Sequence, residues 1–225
     1  MPSTLQSHIE DIIAFQDSCH RFCQNVFECL ATGLDIDHDW FTTRHDRSKG
    51  SSGSVLRLLY YPHVTDYEEG IDIRAGAHSD FGSITLLLQQ SGQPGLEIQT
   101  PSGEWAPVPV DPRQDTTFAS NGGSHNGHTA LPILVNIGDL LEDWTGGLLK
   151  STVHRVIFPT GGSREDRYSI AYFCHPLDDA ELEPVPSRIV QEHASRTGKG
   201  SVRNGKVLTA KDHLMERLSA TYSIK

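Results

Sequence analysis

The sequence predicts a mainly β domain, with a β-sandwich core and helices packed on the outside of that core. Three observations support this fold class. Residues 4–34 carry apolar side chains at three- and four-residue steps, as in an amphipathic helix. From residue 55 the pattern changes to short runs rich in β-branched and aromatic residues, separated by Gly, Pro, Asn and Asp. A further helical pattern follows these strand-like runs.

Residues 4–34 are predicted to form one long N-terminal helix. Ser3 and Gln6 have the spacing of a capping box at its start, and Gly33 is typical of the position just after a helix. A short helix is predicted within residues 35–46, after a turn. The Ser- and Gly-rich residues 47–54 predict a loop.

Eight strand-like runs make up the predicted β core. Many short strands separated by turn signals are typical of a sandwich or a barrel. The polar run between the fourth and fifth strands has the composition of a hairpin turn. The runs are residues 55–62, 71–80, 83–90, 96–100, 105–110, 133–137, 151–158 and 167–176.

The segments between and after the strands complete a single domain. Residues 138–147 predict a turn or short helix, and the polar, unpatterned residues 111–129 predict a long loop. Residues 209–219 predict a helix with Thr209 as its N-cap. A chain of 225 residues suits one domain. We divide it into a helical segment over 1–54, a core over 55–180 and a C-terminal extension over 181–225.

The charge balance argues against a nucleic-acid partner. With 29 acidic and 19 basic residues, the chain has a net charge of −10 at pH 7, which a phosphate backbone would repel. Basic residues are in excess over 187–225, a pattern typical of a solvated helix face. We therefore expect a small-molecule partner. The oligomeric state is left open.

The apolar and cysteine patterns predict a cytoplasmic protein. No apolar run reaches the roughly 20 residues that span a bilayer, and no secretory signal is visible. Cys19, Cys23, Cys29 and Cys174 form no CxxC pair, so we expect free thiols in a reducing compartment.

Three side chains have the chemistry of a metal site. His78 and Asp80 stand two residues apart, and on a strand such residues point to the same face. His154, in another strand-like run, is the best candidate for a third ligand. Two histidines and one carboxylate form the facial triad of non-haem Fe(II) oxygenases, whereas a structural zinc site favours a closed set with thiolates. The spacing alone also fits residues that bind no metal.

A second pair of side chains suits a carboxylate ligand. Arg167 and Ser169 are two apart in the last strand-like run and share a face. A guanidinium beside a hydroxyl can bind a carboxylate through two charge-assisted hydrogen bonds and a supporting one. A carboxylate anchored there could reach the metal site with its other end.

Together these residues resemble the 2-oxoglutarate/Fe(II)-dependent dioxygenases, specifically the isopenicillin N synthase-like family. The HxD, H and RxS elements of that family match His78, Asp80, His154, Arg167 and Ser169. The stretches LLYYP, HSDFGSITLLLQ, GLEIQTPSGEW, VNIGDLLEDWTGGLLKSTVHRV and RYSIAYFCHP are similar to that family over most of residues 55–176.

The resemblance implies a fold, a set of cofactors and residue roles. The fold is a double-stranded β-helix, or jelly roll. His78, Asp80 and His154 would ligate Fe(II), and Arg167 and Ser169 would bind the distal carboxylate of 2-oxoglutarate. O2 is the other co-substrate. Tyr61, in the YYP stretch, would add a hydroxyl contact to 2-oxoglutarate. Apart from the resemblance, Phe81 and Phe173 stand next to the proposed site in the sequence and are candidates either for lining the substrate pocket or for the core.

The sequence departs from the family pattern at three places. Family members usually begin with an extra segment that carries a strand and part of the substrate pocket, whereas this sequence starts at the long helix. Leu59 stands where many relatives have Asn, and the loop over 111–129 is longer than the usual connection.

Three functions remain open at this stage. The first is a 2-oxoglutarate-dependent oxygenase that hydroxylates, desaturates or cyclises a metabolite. The second is an Fe(II) oxidase of the same fold that uses no 2-oxoglutarate. The third is a non-catalytic or truncated jelly-roll binding protein. The sequence does not identify the substrate.

Overall fold

The fold consists of two four-stranded antiparallel sheets with helices on the outside. The computed structural model describes residues 3–68, 71–112, 131–158, 165–198, 202–203 and 205–222. Most of the loop predicted over 111–129, residues 113–129, lies outside the described residues. The helices are α1 (Ser3–Gln6), α2 (Ile9–Gly33), α3 (Trp40–Arg44), α4 (Asp139–Trp144), α5 (Arg188–Thr197) and α6 (Ala210–Tyr222).

All eight predicted strands are present, together with a short additional hairpin. The strands are β1 (Val55–Tyr61), β2 (Ile73–His78), β3 (Ile84–Gln89), β4 (Leu96–Gln99), β5 (Trp105–Pro107), β6 (Leu134–Ile137), β7 (His154–Ile157), β8 (Arg167–Cys174), β9 (Val202–Arg203) and β10 (Lys206–Val207). The two large sheets have the orders β1-β8-β3-β6 and β2-β7-β4-β5. The mainly β prediction with flanking helices is confirmed.

The N-terminal helix differs from its prediction at both ends. It is broken into α1 and α2, and His8 precedes α2 without a side-chain cap. No residue of α1 is fully buried, so this short helix has little tertiary packing to extend it into α2. At the other end Gly33 is still helical, and Asp35 takes the left-handed conformation with φ 55°. Aspartate tolerates this conformation because its short polar side chain can hydrogen-bond locally.

The hydrophobic core lies between the helices and the outer face of the β1-β8-β3-β6 sheet. Buried side chains of α2, α3 and α4 pack there against residues of β3 and β8. The aromatic rings of Phe27, Phe41, Trp40 and Trp144 stand 4.8–6.0 Å apart, centroid to centroid. This packing fixes the sheet that carries half of the site described below.

The C-terminal extension contains two helices, of which the sequence predicted one. Thr209 caps α6 as predicted, since its Oγ1 accepts a hydrogen bond from the backbone N–H of Asp212. The helix α5 was missed. Ser187 caps it by accepting from the Val190 N–H, and its hydroxyl donates to the carbonyl of Leu34 at 2.6 Å. The basic residues of 187–225 were expected on a solvated helix face. Both helices also have a buried side, because Val190 of α5 and His213 of α6 are buried.

None of the helices in the described part of the chain is long and apolar enough to cross a bilayer. All four cysteines are free thiols, and Cys19, Cys23 and Cys174 are buried.

A buried histidine ties α3 to the sheet and makes stability depend on pH. The His45 side chain donates from Nδ1 to the Phe41 carbonyl (2.7 Å) and accepts from the Ser83 hydroxyl at Nε2 (2.9 Å). Desolvation lowers the pKa of His45 to about 3. The folded protein therefore keeps this imidazole neutral, while the unfolded chain protonates it below its ordinary pKa of 6.5.

We predict that His45 contributes to acid destabilisation. Stability from this group is complete above pH 6.5 and is lost as the pH falls toward 3. Between pH 7.5 and 5.0 the wild type should lose about 2 kcal/mol more of its free energy of unfolding than the His45→Gln variant. Urea unfolding at the two pH values measures this difference. Equal losses in both proteins would show that His45 is not protonated on unfolding.

Candidate metal centre

Three side chains from two distant parts of the chain, residues 78–80 and residue 154, converge between the two sheets. His78 ends β2, His154 begins β7, and the two residues are paired across the strands. One Asp80 oxygen, Oδ1, lies 4.0 Å from Nε2 of His78 and 3.7 Å from Nε2 of His154. One ligand atom from each residue falls within 4.8 Å of the other two. The predicted ligand set is therefore brought together in space.

The reason for the proximity of His78 and Asp80 differs from the predicted one. The strand β2 ends at His78, so Asp80 does not share a strand face with it. Asp80 is placed from the other sheet. Its Oδ2 accepts hydrogen bonds from Thr85 Oγ1 on β3 (2.7 Å) and from Asn136 Nδ2 on β6 (2.8 Å). Thr85 and Asn136 face each other in the register of these strands.

The turn between β6 and α4 holds the backbone of the Asp80 segment. The Asp139 N–H donates to the Asp80 carbonyl at 2.7 Å, and the Gly138 N–H donates to the Ser83 carbonyl at 2.9 Å. A Cβ atom on Gly138 would overlap the carbonyl oxygen of Gly82. Only glycine permits this close approach, which gives the "GD" of the sequence a structural reason.

The hydrogen bonds leave one lone pair on each residue facing the common point. Nδ1 of His78 lies 2.7 Å from the Gly76 carbonyl, and Nδ1 of His154 lies 3.0 Å from the Thr152 carbonyl. A carbonyl can only accept, so each Nδ1 carries the proton and each Nε2 is left with a lone pair. Since Oδ2 of Asp80 is already bonded, Oδ1 is the oxygen that remains.

This donor set fits a divalent transition metal with open coordination positions. Two imidazole nitrogens and one carboxylate oxygen on one side of a metal form the facial arrangement typical of non-haem iron. No cysteine belongs to the cluster, which argues against a closed structural zinc site. Asp80 is buried and His78 is about half exposed, so one side of the site is open.

An inner cavity of about 90 Å³ lies between the inner faces of the two sheets and connects the metal site to Arg167. Arg167 is 1% exposed, and its guanidinium donates to Ser169 Oγ (3.3 Å) and Gln89 Oε1 (3.2 Å). Its Nε has no hydrogen-bond partner among the described residues. Burial lowers the pKa of Arg167, which reflects the cost of a cation kept from water. An anion in the cavity would offset that cost.

Tyr61 stands beside this guanidinium, which lies 5.3 Å from the centre of its ring. Leu59, at the position where many relatives have Asn, also lines the inner cavity. The predicted residues Arg167, Ser169 and Tyr61 are thus brought together at one end, with the candidate ligands at the other.

A larger outer cavity of about 480 Å³ is also lined by two of the candidate ligands, His78 and Asp80. His78, Asp80 and Phe173 line both cavities, and Phe81 lines the outer one. The guanidinium of Arg57 lies over the ring of Phe173 at 5.3 Å. The helix α6 supplies Leu214, Leu218 and Thr221 to the wall. Both aromatic residues predicted for a substrate pocket therefore face the same space.

Sequence reasoning missed three contributors to the site. It did not single out Thr85, Gln89 or Arg217. Thr85 and Gln89 lie in the strand-like run after the HxD element. Their contacts with Asp80 and Arg167 depend on how the strands pair in the folded protein. Arg217 lies on α6 and pairs with Asp139, 78 residues earlier.

Residues 52–176 match the model of the 2OG-Fe(II) oxygenase superfamily. The chain belongs to that superfamily, and its two sheets form the family's jelly roll.

Individual relatives agree with this assignment. The UPF0676 protein C1494.01 of Schizosaccharomyces pombe is 33% identical over 227 residues, which cover 97% of this chain and 58% of that protein. The 2-oxoglutarate-dependent dioxygenase htyE of Aspergillus rugulosus is 31% identical, over 92% of this chain and 57% of its own. A full-length Neurospora crassa protein, crystallised in complex with alpha-KG and thymine, has a TM-score of 0.74 and 30% identity, covering 98% of this chain and 59% of that protein. The chain thus spans a little under three fifths of the length of these relatives.

We predict that the Thr85 hydroxyl tunes metal binding through Asp80. Thr85→Val keeps the side-chain shape but removes one of the two donors to Oδ2, so Asp80 should lose its fixed orientation. Co(II) affinity should fall about 10- to 100-fold, the usual effect of losing such a supporting contact. The matched Thr85→Ser variant keeps the hydroxyl and should bind within a few-fold of the wild type. Wild-type affinity in the Val variant would contradict this role.

Proposed function

We propose that the protein is an Fe(II)/2-oxoglutarate-dependent oxygenase that oxidises a small-molecule metabolite and decarboxylates 2-oxoglutarate to succinate. The observation that carries this proposal is the inner cavity. At one end stand three candidate ligands with free lone pairs, and at the other a buried, partly unpaired guanidinium. Membership of the superfamily supports the same reaction class.

In this proposal the metal ligands are His78, Asp80 and His154, and the metal is Fe(II). Arg167 and Ser169 hold the distal carboxylate of 2-oxoglutarate, and Tyr61 stands beside them. The two ends of the inner cavity then match the two ends of the co-substrate: a keto acid that chelates metal and a carboxylate that needs a cation.

The iron, 2-oxoglutarate and O2 together supply the oxidising power for hydroxylation, desaturation or cyclisation. The chain's own residues fix geometry and access. Thr85 and Asn136 orient Asp80, while the Gly76 and Thr152 carbonyls hold the protons on the two imidazoles. The buried Arg167 sets the direction of the co-substrate, so that its reacting end meets the metal.

The outer cavity is the proposed substrate side. Phe81 and Phe173 give it apolar surface next to the metal, and Arg57 adds one cation. These features favour a small substrate with an apolar body and an acceptor or anionic group. The Neurospora crassa structure contains thymine, a small molecule of comparable kind.

We also propose the organisation and setting of the protein. Residues 55–180 form the oxygenase core, residues 1–54 an N-terminal helical segment and residues 181–225 a C-terminal extension, all within one domain. Buried side chains of α2, α3 and α5 in the core cluster support this organisation. The free, largely buried cysteines support a reducing compartment such as the cytoplasm. The net charge of −10 argues against nucleic acid as a partner.

We predict that Asp80→Ala abolishes iron binding and turnover of 2-oxoglutarate. The change removes the only anionic ligand of the proposed set. Anaerobic iron loading, followed by measurement of bound iron and of succinate, should give values at the level of a protein-free control. The exposed Asp179 provides a matched control, and Asp179→Ala should behave as the wild type.

The outcomes of this experiment separate the candidate functions. Full retention of iron and succinate formation in Asp80→Ala would refute the ligand assignment. If the wild type binds iron and consumes O2 without 2-oxoglutarate, the protein is an Fe(II) oxidase of the same fold. A wild type that binds no iron would be a binding protein.

We predict that Arg167→Leu raises the 2-oxoglutarate requirement. The carboxylate would lose its buried partner, which costs about 2–5 kcal/mol, or between about 30-fold and several thousandfold in the half-saturating concentration. Succinate formation at varied 2-oxoglutarate measures the change. Arg44, a partly buried cation stacked on Trp40 and remote from both cavities, is the control position for Arg44→Leu. An unchanged requirement in Arg167→Leu would place the co-substrate elsewhere.

A further inference from the structure

A chain of polar contacts joins α6 to the segment that carries two of the candidate ligands. The guanidinium of Arg217, on α6, donates to Oδ2 of Asp139. The hydroxyl of Ser79 donates to the same oxygen at 3.0 Å. Ser79 stands between His78 and Asp80 in the sequence, so a residue of α6 and the ligand segment share one carboxylate oxygen.

Asp139 also holds the ligand segment through its backbone. Its N–H donates to the Asp80 carbonyl at 2.7 Å. The Asp139 side chain is only 12% exposed, and Arg217 is its ion-pair partner within the described part of the chain. The position of Asp139 is therefore tied to Arg217 on one side and to residues 79 and 80 on the other.

The helix α6 is in turn a wall of the outer cavity. Leu214 and Leu218 line that cavity, and the Arg217 guanidinium lies 5.7 Å from the ring centre of Phe81. Leu214 packs closely against Gly53: a Cβ atom added to Gly53 would lie 2.9 Å from Cδ2 of Leu214. Movement of α6 would change both the shape of the cavity and the contact with Phe81.

We propose that Arg217 is a positioning residue that couples the state of the metal site to the α6 wall of the substrate cavity. This inference rests on the proposed function, because it concerns the same candidate metal site. When the ligands are held by a metal, Ser79 and Asp139 are fixed, and Arg217 transmits this order to α6. When α6 is displaced, the Asp139 carboxylate loses its cation and the ligand segment loses one of its supports.

Coupling between two sites acts in both directions. It can therefore be measured by adding metal and following α6, without a known substrate. Backbone hydrogen exchange of the full chain is followed over residues 78–83 and 210–222, with and without Co(II). Without metal, Arg217→Met should raise exchange in both segments by about tenfold, the expected effect of losing a charge-assisted hydrogen bond. In the wild type, Co(II) should slow exchange in both segments. In Arg217→Met, Co(II) should still protect residues 78–83 but no longer slow exchange in α6.

Two further variants make the test specific. Lys211 is an exposed cation on the same helix, so Lys211→Met should leave both segments and their response to Co(II) unchanged. Arg217→Lys keeps the charge and should restore part of the protection of α6.

The possible results each decide something. Faster exchange in α6 alone, with unchanged Co(II) protection of that helix, would mean that Arg217 only anchors α6, and would overturn the proposal. A wild type in which Co(II) protects neither segment would refute the metal site itself. The coupling would then be judged by the metal-free comparison, where unchanged exchange over residues 78–83 in Arg217→Met would overturn it.

Discussion

Within the part of the chain that the structure describes, the Asp80 carboxylate is hydrogen-bonded through Oδ2 alone, and the candidate centre is arranged around that asymmetry. A buried carboxylate needs partners, and Thr85 and Asn136 supply two, both to Oδ2. Oδ1 faces the Nε2 atoms of His78 and His154, which carry no proton because the proton of each ring is on Nδ1, bonded to a backbone carbonyl. One sheet orients the carboxylate through the paired residues Thr85 and Asn136, and the other sheet carries the paired histidines. The site therefore forms only when each sheet has its strands correctly paired and the two sheets pack together.

The same arrangement separates two kinds of space. The inner cavity ends at a buried guanidinium and suits an anion that spans the distance to the metal. The outer cavity is larger, is walled partly by a helix and offers aromatic surface together with Arg57. Both cavities reach the candidate ligands His78 and Asp80, so two different molecules could approach these ligands through separate spaces. The helix α6 forms part of the wall of the outer cavity. Its Arg217 contacts Asp139, which also accepts a hydrogen bond from Ser79 in the ligand segment.

The sequence predicted the parts of this protein that depend on local pattern. All eight strands, the Thr209 cap and the residues of the centre could be found from periodicity and spacing, or from the family resemblance. The features that depend on tertiary contacts could not. Asp80 lies beyond the end of β2, so its position follows from Thr85 and Asn136 and not from strand alternation. Asp35, rather than Gly33, takes the left-handed conformation, and the pairing of Arg217 with Asp139 has no signal in spacing.

The most direct test of the central claim is a crystal structure of the protein grown anaerobically with Fe(II) and 2-oxoglutarate, with anomalous data collected at the iron edge. A single strong peak should lie at coordination distance from Oδ1 of Asp80 and Nε2 of His78 and His154. Density for 2-oxoglutarate should run from that peak to the Arg167 guanidinium. Iron bound at other residues, or a ligand that leaves Arg167 unpaired, would contradict this account of the centre.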